Sequence, residues 1–258
     1  MKKQAIRIAG LLMATMLVVS SFSLAYGKRK MHTLSVVSYN IRHGEGLDGK
    51  TDYARIARHF VNQKADVVAV QEVDSVTGRS GGEYVLERLA DCSGLYPTFA
   101  KAIAFDGGSY GIGILSKEKP LEVRRVCLPG RKEARVLLMA EFKDYIFACL
   151  HLSLTPEDQI ASVPIILKNV KGVHKPFVLA GDWNALPGDA FVAEMRQSFV
   201  LANDTTQSTY PADSPDSLLD YIAVCALSKV QVDRFTVIAD SVSSDHRPIA
   251  ARLSWNSK

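Results

Sequence analysis

The chain is short of cysteine and tryptophan, and it contains no sustained block of like charge in its main body. Its four cysteines, Cys92, Cys127, Cys149 and Cys225, lie far apart, with no CxxC pair and no Cys/His metal spacing. That excludes a zinc-ribbon or thioredoxin-like motif and a disulfide-dense scaffold. Cys127 and Cys149 fall in apolar strand-like runs, where a buried thiol and a bridge fit the sequence equally well. Beyond residue 25 there is no repeat, no low-complexity stretch, no linker and no apolar run long enough to span a bilayer. One domain over residues 26–258 is the simplest organisation. With 47% hydrophobic and 22% charged residues in 258, the composition is that of a globular chain with a sizeable core, and it excludes a disordered, collagen-like or coiled-coil protein.

Charge needs dividing before it is read. Lysine and arginine outnumber aspartate and glutamate 31 to 27, a formal net charge of +4. Three of those positive charges, Lys2, Lys3 and Arg7, precede an apolar run from Ile8 to Val19. Ser23 and Ala25 then occupy the −3 and −1 positions of a cleavage after Ala25. This is the layout of a bacterial secretory signal peptide over residues 1–25, which predicts export to the periplasm or the medium. Lys28, Arg29 and Lys30 oppose retention of the run as an anchor. Without residues 1–25 the balance is 28 basic to 27 acidic residues, net +1. A duplex-gripping surface needs clustered cations to neutralise phosphates, and the bulk charge supplies none.

The remaining chain alternates helices and strands. Strands are expected at Leu34–Asn40, Asp66–Glu72, Tyr110–Ser116, Leu121–Cys127, Val136–Phe142, Tyr145–Leu152, Phe177–Gly181, Ser217–Val224, Val230–Ile238 and Pro248–Leu253. Thr51 is the expected N-cap of a helix with Tyr53, Ile56, Ala57, Phe60 and Val61 on one face. A second helix is expected over Glu83–Cys92, ended by Gly94. Thr155 and Pro156 begin a third, which Pro164 should kink or split. A fourth is expected around Gly188–Gln197, and Asn203–Ser217 reads as a polar surface loop. This order predicts an α/β or α+β sandwich, sheets inside and helices outside.

Polar residues recur where the apolar strands stop: Asn40, Glu72, His151, then Asp182 and Asn184, Asp220 within SLLDYI, and Asp245 and His246 before the last strand. Any one of them alone is as readily a cap, a turn residue or a satisfied core histidine. As a set they provide oxygen donors for a hard cation, Mg²⁺ or Mn²⁺, and two imidazoles, with no thiolate cluster.

The ordered segments SYNIRHG, VVAVQEVD, YGIGILS, CLHLSL, LAGDWNALP, LLDYI and SDHRPI resemble the endonuclease/exonuclease/phosphatase (DNase I-like) superfamily, in a secreted bacterial branch of metal-dependent hydrolases. The resemblance spans nearly all of residues 26–258. It implies a four-layered α/β sandwich of two mixed β-sheets packed face to face, and Mg²⁺- or Mn²⁺-dependent hydrolysis of a phosphoester. It makes Glu72, Asn40 and Asp245 the metal residues. Asp182 and Asn184 would position or deprotonate water. His246, oriented by Asp220, and His151 would contact the phosphate, with Tyr110 near the site. His246 acts as a cation in one version of this chemistry and as a base in another.

Arg42 and His43 follow Asn40, and Arg79 lies in the loop after Glu72. These are candidate substrate contacts, with a surface ion pair as the plain alternative for Arg79. Small size and near-zero charge favour a small-molecule or lipid-headgroup phosphodiester over duplex DNA. The competing expectations are a DNase I-like nuclease, an inositol- or sugar-phosphate phosphatase, and an inactive binding module of the same fold. The catalytic-position residues are all present, against the last of these. The enzyme is expected to act as a monomer with no stable membrane insertion after cleavage.

Overall fold

A computed structural model describes residues 30–256; the expected signal peptide and its cleavage site lie outside them. Among the described residues, twelve strands form two six-stranded sheets. The first has the order β11-β12-β1-β2-β4-β3: Gln231–Val237, Ile249–Asn256, Met31–Asn40, Val67–Ser75, Gly108–Ser116 and Tyr96–Phe105. The second has the order β5-β6-β7-β8-β10-β9: Glu122–Leu128, Arg135–Glu141, Ile146–His151, Phe177–Asp182, Asp220–Cys225 and Phe199–Leu201. Each sheet is mixed, with its parallel pair at the centre, β1 with β2 and β7 with β8. Beyond β2 and beyond β8 each continues through antiparallel neighbours.

Side-chain alternation explains the layering. Val36, Val67 and Ala69 from the first sheet meet Leu138, Cys149, Val178 and Ile222 from the second in one buried cluster between the sheets. The alternate residues Val37, Tyr39, Val68 and Val70 face outward under α1 (Tyr53–Asn62) and α2 (Val85–Ser93). On the other side, Leu137, Ala148, Leu150 and Leu179 pack under α3 (Pro156–Val170) and α4 (Ala190–Met195). Strands covered on both faces read as unbroken apolar runs, as in DVVAV and FVLAG. The fold is thus the expected sandwich of two mixed sheets with helices outside.

Several local expectations change. Tyr96–Phe105 is a strand that the sequence pattern does not announce. It is an edge strand with alternating exposure and carries Pro97 at its exposed start. Phe199–Leu201 is a further short strand. Asp52, not Thr51, caps α1, its carboxylate accepting from the Arg55 N–H at 2.8 Å; Thr51 instead bridges to Glu45. Pro164 does not split α3, which runs continuously from Pro156 to Val170. The carbonyl it deprives of a donor belongs to Ile160, which is 39% exposed and can turn to water. All four cysteines are free; Cys149 and Cys225 are buried, whereas Cys127 lies exposed.

Candidate active site

The strand ends converge at one rim of the sandwich. In the second sheet His151 pairs in register with Asp182, and Asp182 with Asp220, so three site residues stand side by side on β7, β8 and β10. In the first sheet Asn40 pairs with Gln71, next to Glu72. A bulge in β2 brings Glu72 into the site. Between the Val70–Gly113 and Val73–Gly111 pairs, β2 places two residues opposite one of β4. Glu72 takes the left-handed conformation there, φ 57°. Gln71 keeps the inward position and donates to the Cys149 sulfur at 3.3 Å, while the extra residue re-aims the carboxylate.

Asn40 joins the two sheets. Its Nδ2 donates to Glu72 Oε1 and to Asp182 Oδ2, both at 3.0 Å. Its Oδ1 accepts from the Arg42 N–H at 3.1 Å. Asp182 is held on its other oxygen by the Asn184 N–H at 2.8 Å. Asn184 is left-handed, φ 48°, and its amide donates to the Leu152 carbonyl at 3.0 Å. Gly181 permits this approach of β8 to β7: it has φ 149°, and a Cβ there would sit 2.0 Å from the Leu150 carbonyl oxygen.

His246 lies between two carboxylates. Its Nδ1 donates to Asp220 Oδ2 at 2.9 Å, and its Nε2 stands 3.7 Å from Asp182 Oδ2. Burial alone would lower the imidazole pKa. The Asp220 and Asp182 charges outweigh burial, with help from Asp245, and raise it to about 10. Burial lifts Asp182 well above the usual carboxylate range and also raises Glu72. His151 is pushed the other way, by burial and then by the charges of Arg135 and His246. Its 3.5 Å approach to Asp182 is therefore a contact of a neutral ring rather than an ion pair. Ser244 ties the last loop in: its hydroxyl donates to the Asn40 carbonyl at 2.7 Å and lies 3.2 Å from Asp245 Oδ1.

The donor set fits a hard divalent cation. Glu72 and Asp182 share the Asn40 amide, the Asp245 charge acts on Glu72, and one oxygen of the wholly buried Asp220 has no hydrogen-bond partner among the described residues. Ligand atoms of Asp182, Asp220 and His246 lie within 4.8 Å of one another. The donors are predominantly carboxylate oxygen, the preference of Mg²⁺ and Mn²⁺.

The second tier divides. Arg79 does not hold its fork open: Nε and Nη2 bind the buried Asp74 at 2.6 and 2.8 Å, and the guanidinium lies over the Phe105 ring at 4.5 Å. It is also 5.6 Å from the Tyr110 ring centre, and its charge acts on Glu72. Tyr110, nearly buried, also feels the Glu72 charge. His43 and Arg79 line one cavity of about 350 Å³, whereas Arg42 turns toward Glu45 at 3.9 Å.

Three residues escape sequence reasoning. Tyr210, in the polar loop, packs its ring 4.8 Å from the His246 ring; an aromatic followed by proline in a polar stretch was its one local signal. Arg135, 9% exposed at the start of β6, acts on His151 and Tyr110, with its Nε unpartnered. Asp240 receives the Val242 and Ser243 N–H groups at 2.9 Å and bonds His59 of α1 at 2.5 Å, holding the segment that leads to His246.

The profile of the Endonuclease/Exonuclease/phosphatase family matches residues 37–246. No curated protein matches the chain. Among solved structures, an endonuclease/exonuclease/phosphatase from Beutenbergia cavernae is 22% identical with a TM-score of 0.73, covering 87% of this chain and 72% of its own. The Bacteroides thetaiotaomicron mannosyl-6-phosphatase Bt3783 is 18% identical with a TM-score of 0.69, covering 85% and 99%. D. rerio TDP2 complexed with a single-strand DNA product is 20% identical with a TM-score of 0.66, covering 86% and 98%. At these identities the likeness is one of fold.

Proposed function

Since the chain belongs to the endonuclease/exonuclease/phosphatase family, we propose that it is an exported, Mg²⁺- or Mn²⁺-dependent phosphoesterase. Its substrate is a small-molecule or lipid-headgroup phosphoester, a diester in preference. The observation that carries this reading is the single Asn40 amide nitrogen bonding Glu72 from one sheet and Asp182 from the other, beside a His246 held by Asp220.

Glu72 and Asp245 would hold the cation; Asn40, expected from the sequence as a third holder, instead turns its amide nitrogen to Glu72 and Asp182 and would steady those carboxylates. Once bound, the cation supplies neutralisation of a non-bridging phosphate oxygen and of developing charge. The chain's own residues do the rest. Asp182, fixed by Asn40 and Asn184, orients a water and accepts its proton. His246 presents Nε2 toward the phosphate, with Nδ1 fixed by Asp220, and acts on the anion as a cation. His151, neutral, serves as a hydrogen-bonding partner to the phosphate. The water oxygen bonds to phosphorus, the bond from phosphorus to the ester oxygen breaks, and the departing alkoxide takes up a proton from solvent, to which Asp182 returns the one it accepted.

The fold's mannosyl-6-phosphatase and DNA-product relatives support phosphoester chemistry without choosing the ester. Against duplex DNA stands the net charge of +1 after residues 1–25. His246→Ala and Asp182→Ala should each abolish Mg²⁺-dependent hydrolysis of bis-p-nitrophenyl phosphate in a folded protein, and Glu72→Gln should weaken the Mg²⁺ activation curve. Near-normal turnover in either alanine variant sinks the assignment. Export is tested by the mass of the protein recovered outside the cytoplasm, which should begin after Ala25.

A further inference from the structure

Arg135 opens β6 at the rim of the second sheet. It pairs with Leu128 of β5, and Leu137 pairs with Leu150 of β7, so Arg135 stands one strand beyond His151. In strand order this rim presents Arg135, His151, Asp182 and Asp220 on β6, β7, β8 and β10. Adjacent strands lie about 4.8 Å apart, a gap that an arginine side chain spans. The turn before Arg135 is fixed to the same rim. A Cβ on Gly130 would collide with the Glu133 carbonyl and stand 3.2 Å from Arg135 Cγ, so this turn lies directly on the arginine stem. The Arg131 N–H donates to Asp158 Oδ2 at 2.9 Å, and that oxygen also accepts from Ser153 Oγ at 3.0 Å. Gln159 in turn donates to the Ser153 and Asn184 carbonyls, both at 2.8 Å. The turn between β5 and β6 is thereby tied to the loops that follow His151 and Asp182.

The guanidinium held there is buried and poorly matched. Arg135 is 9% exposed, and its Nε has no hydrogen-bond partner among the described residues. Nη1 lies 3.1 Å from Glu133 Oε1, yet that oxygen also lacks a hydrogen bond, so the two charges meet out of line. Other arginines of the chain show what a matched fork looks like. Arg79 holds both oxygens of Asp74. Arg55 has an unpartnered Nε too, but its terminal nitrogens hold both oxygens of Asp48 and the Lys50 carbonyl. A guanidinium carries five N–H donors, and leaving them unmet away from water costs stability. The neighbours toward the site do not answer this charge. Burial and then Arg135 itself keep His151 neutral, and burial and the Glu72 charge keep Tyr110 protonated. The Arg135 charge reaches both of them, across the two sheets, and neither offers an anion in return. An arriving phosphate oxygen would supply one.

We propose that Arg135 is a substrate-binding residue, its guanidinium donating to a non-bridging phosphoryl oxygen from the His151 side of the rim, across from His246. The inference rests on the phosphoesterase reading of the site. Three variants test it. Arg135→Met keeps the stem and removes the fork, Arg135→Ala leaves room for free guanidinium, and Glu133→Gln removes the ionic neighbour. Each is assayed in Mg²⁺ for bis-p-nitrophenyl phosphate hydrolysis, for competitive inhibition by inorganic phosphate, and for unfolding in urea. Both Arg135 variants should lose kcat/KM on the order of 10- to 100-fold, and the inhibition constant for inorganic phosphate should rise by a similar factor. Millimolar guanidinium should restore turnover several-fold in Arg135→Ala and leave Arg135→Met unchanged. Arg135→Met should unfold at the parent's urea concentration or above it, since exchanging a poorly matched buried charge for an apolar group is commonly neutral or stabilising. Glu133→Gln should keep the parent's kcat/KM. An arginine that only braces the turn behaves otherwise. A lowered urea midpoint with an unmoved phosphate constant in Arg135→Met, or an equal loss of activity in Glu133→Gln, would overturn the assignment. So would parental kcat/KM in Arg135→Met, which decides alone if the alanine variant does not fold. Absence of turnover in the unmutated protein would instead bring down the phosphoesterase reading beneath it.

Discussion

Asp220→Asn keeps the shape of the side chain that holds His246 and removes its charge. The carboxylate is wholly buried, accepts from His246 Nδ1 at 2.9 Å through Oδ2, and leaves Oδ1 without a partner. An asparagine oxygen at the Oδ2 position would still accept, but its amide nitrogen would then be a buried donor with nothing to bond. A hydrogen bond to a charged group contributes about 1.5–3 kcal/mol. At about 1.4 kcal/mol per tenfold, kcat/KM should fall roughly 10- to 150-fold. The pH profile carries the sharper test. The neighbouring carboxylates raise His246 to about 10, against an ordinary value of about 6.5. The stability this contributes is full below about pH 6.5 and is lost as pH rises through about 10. If the cation acts on the phosphate, removing the Asp220 charge shifts the alkaline limb of the rate profile to lower pH. If a neutral imidazole were the base, the same substitution would instead extend activity toward acid. Hydrolysis of bis-p-nitrophenyl phosphate between pH 5 and 11 distinguishes them, and an unchanged rate and profile would refute the coupling altogether.

Gly181→Ala forces a methyl group against the Leu150 carbonyl and an L-residue into φ 149°; overpacking of this kind costs about 1–3 kcal/mol. Urea unfolding should show at least that loss, together with reduced activity, because the displaced strands carry His151 and Asp182. Asp240→Asn should lower stability at neutral pH by about 1–2 kcal/mol. Burial tends to raise the Asp240 pKa, but the bonds from His59, Ser243 and Val242 prevail and hold it low. That contribution is present above about pH 4 and disappears as pH falls through the depressed value. The gap between variant and parent should therefore narrow in acid, and a gap that widens toward pH 2 would contradict the clamp.

Most of the candidate rim could be read from the sequence for a physical reason. Strands buried on both faces appear as apolar runs, and a polar residue ending such a run must sit at a sheet margin. Asn40, Glu72, His151 and Asp182 all announce themselves in this way. What escaped lacks that contrast. The edge strand Tyr96–Phe105 alternates with solvent and carries Lys101, so it looks like a loop. Arg135 reads as the solvent boundary before Val136, although the fold buries it beside His151. His59 and Asp240 are 181 residues apart, and no local pattern relates them. The bidentate hold of Asp74 on Arg79 is equally silent, because a single arginine in a glycine-containing loop looks the same whether its fork is free or taken.

The first sheet is begun by β1 and finished by β11 and β12, with the whole second sheet intervening in the chain. Asp245 and His246 thus precede only the final strand, while Asn40 closes the first. A chain made from its N-terminus presents Asn40 and Glu72 long before Asp245 and His246, which complete the rim. Until the trailing residues arrive, β1 lacks its neighbour β12 and the rim lacks His246. The rim is complete only when the final strand has docked, so its assembly depends on both ends of the chain.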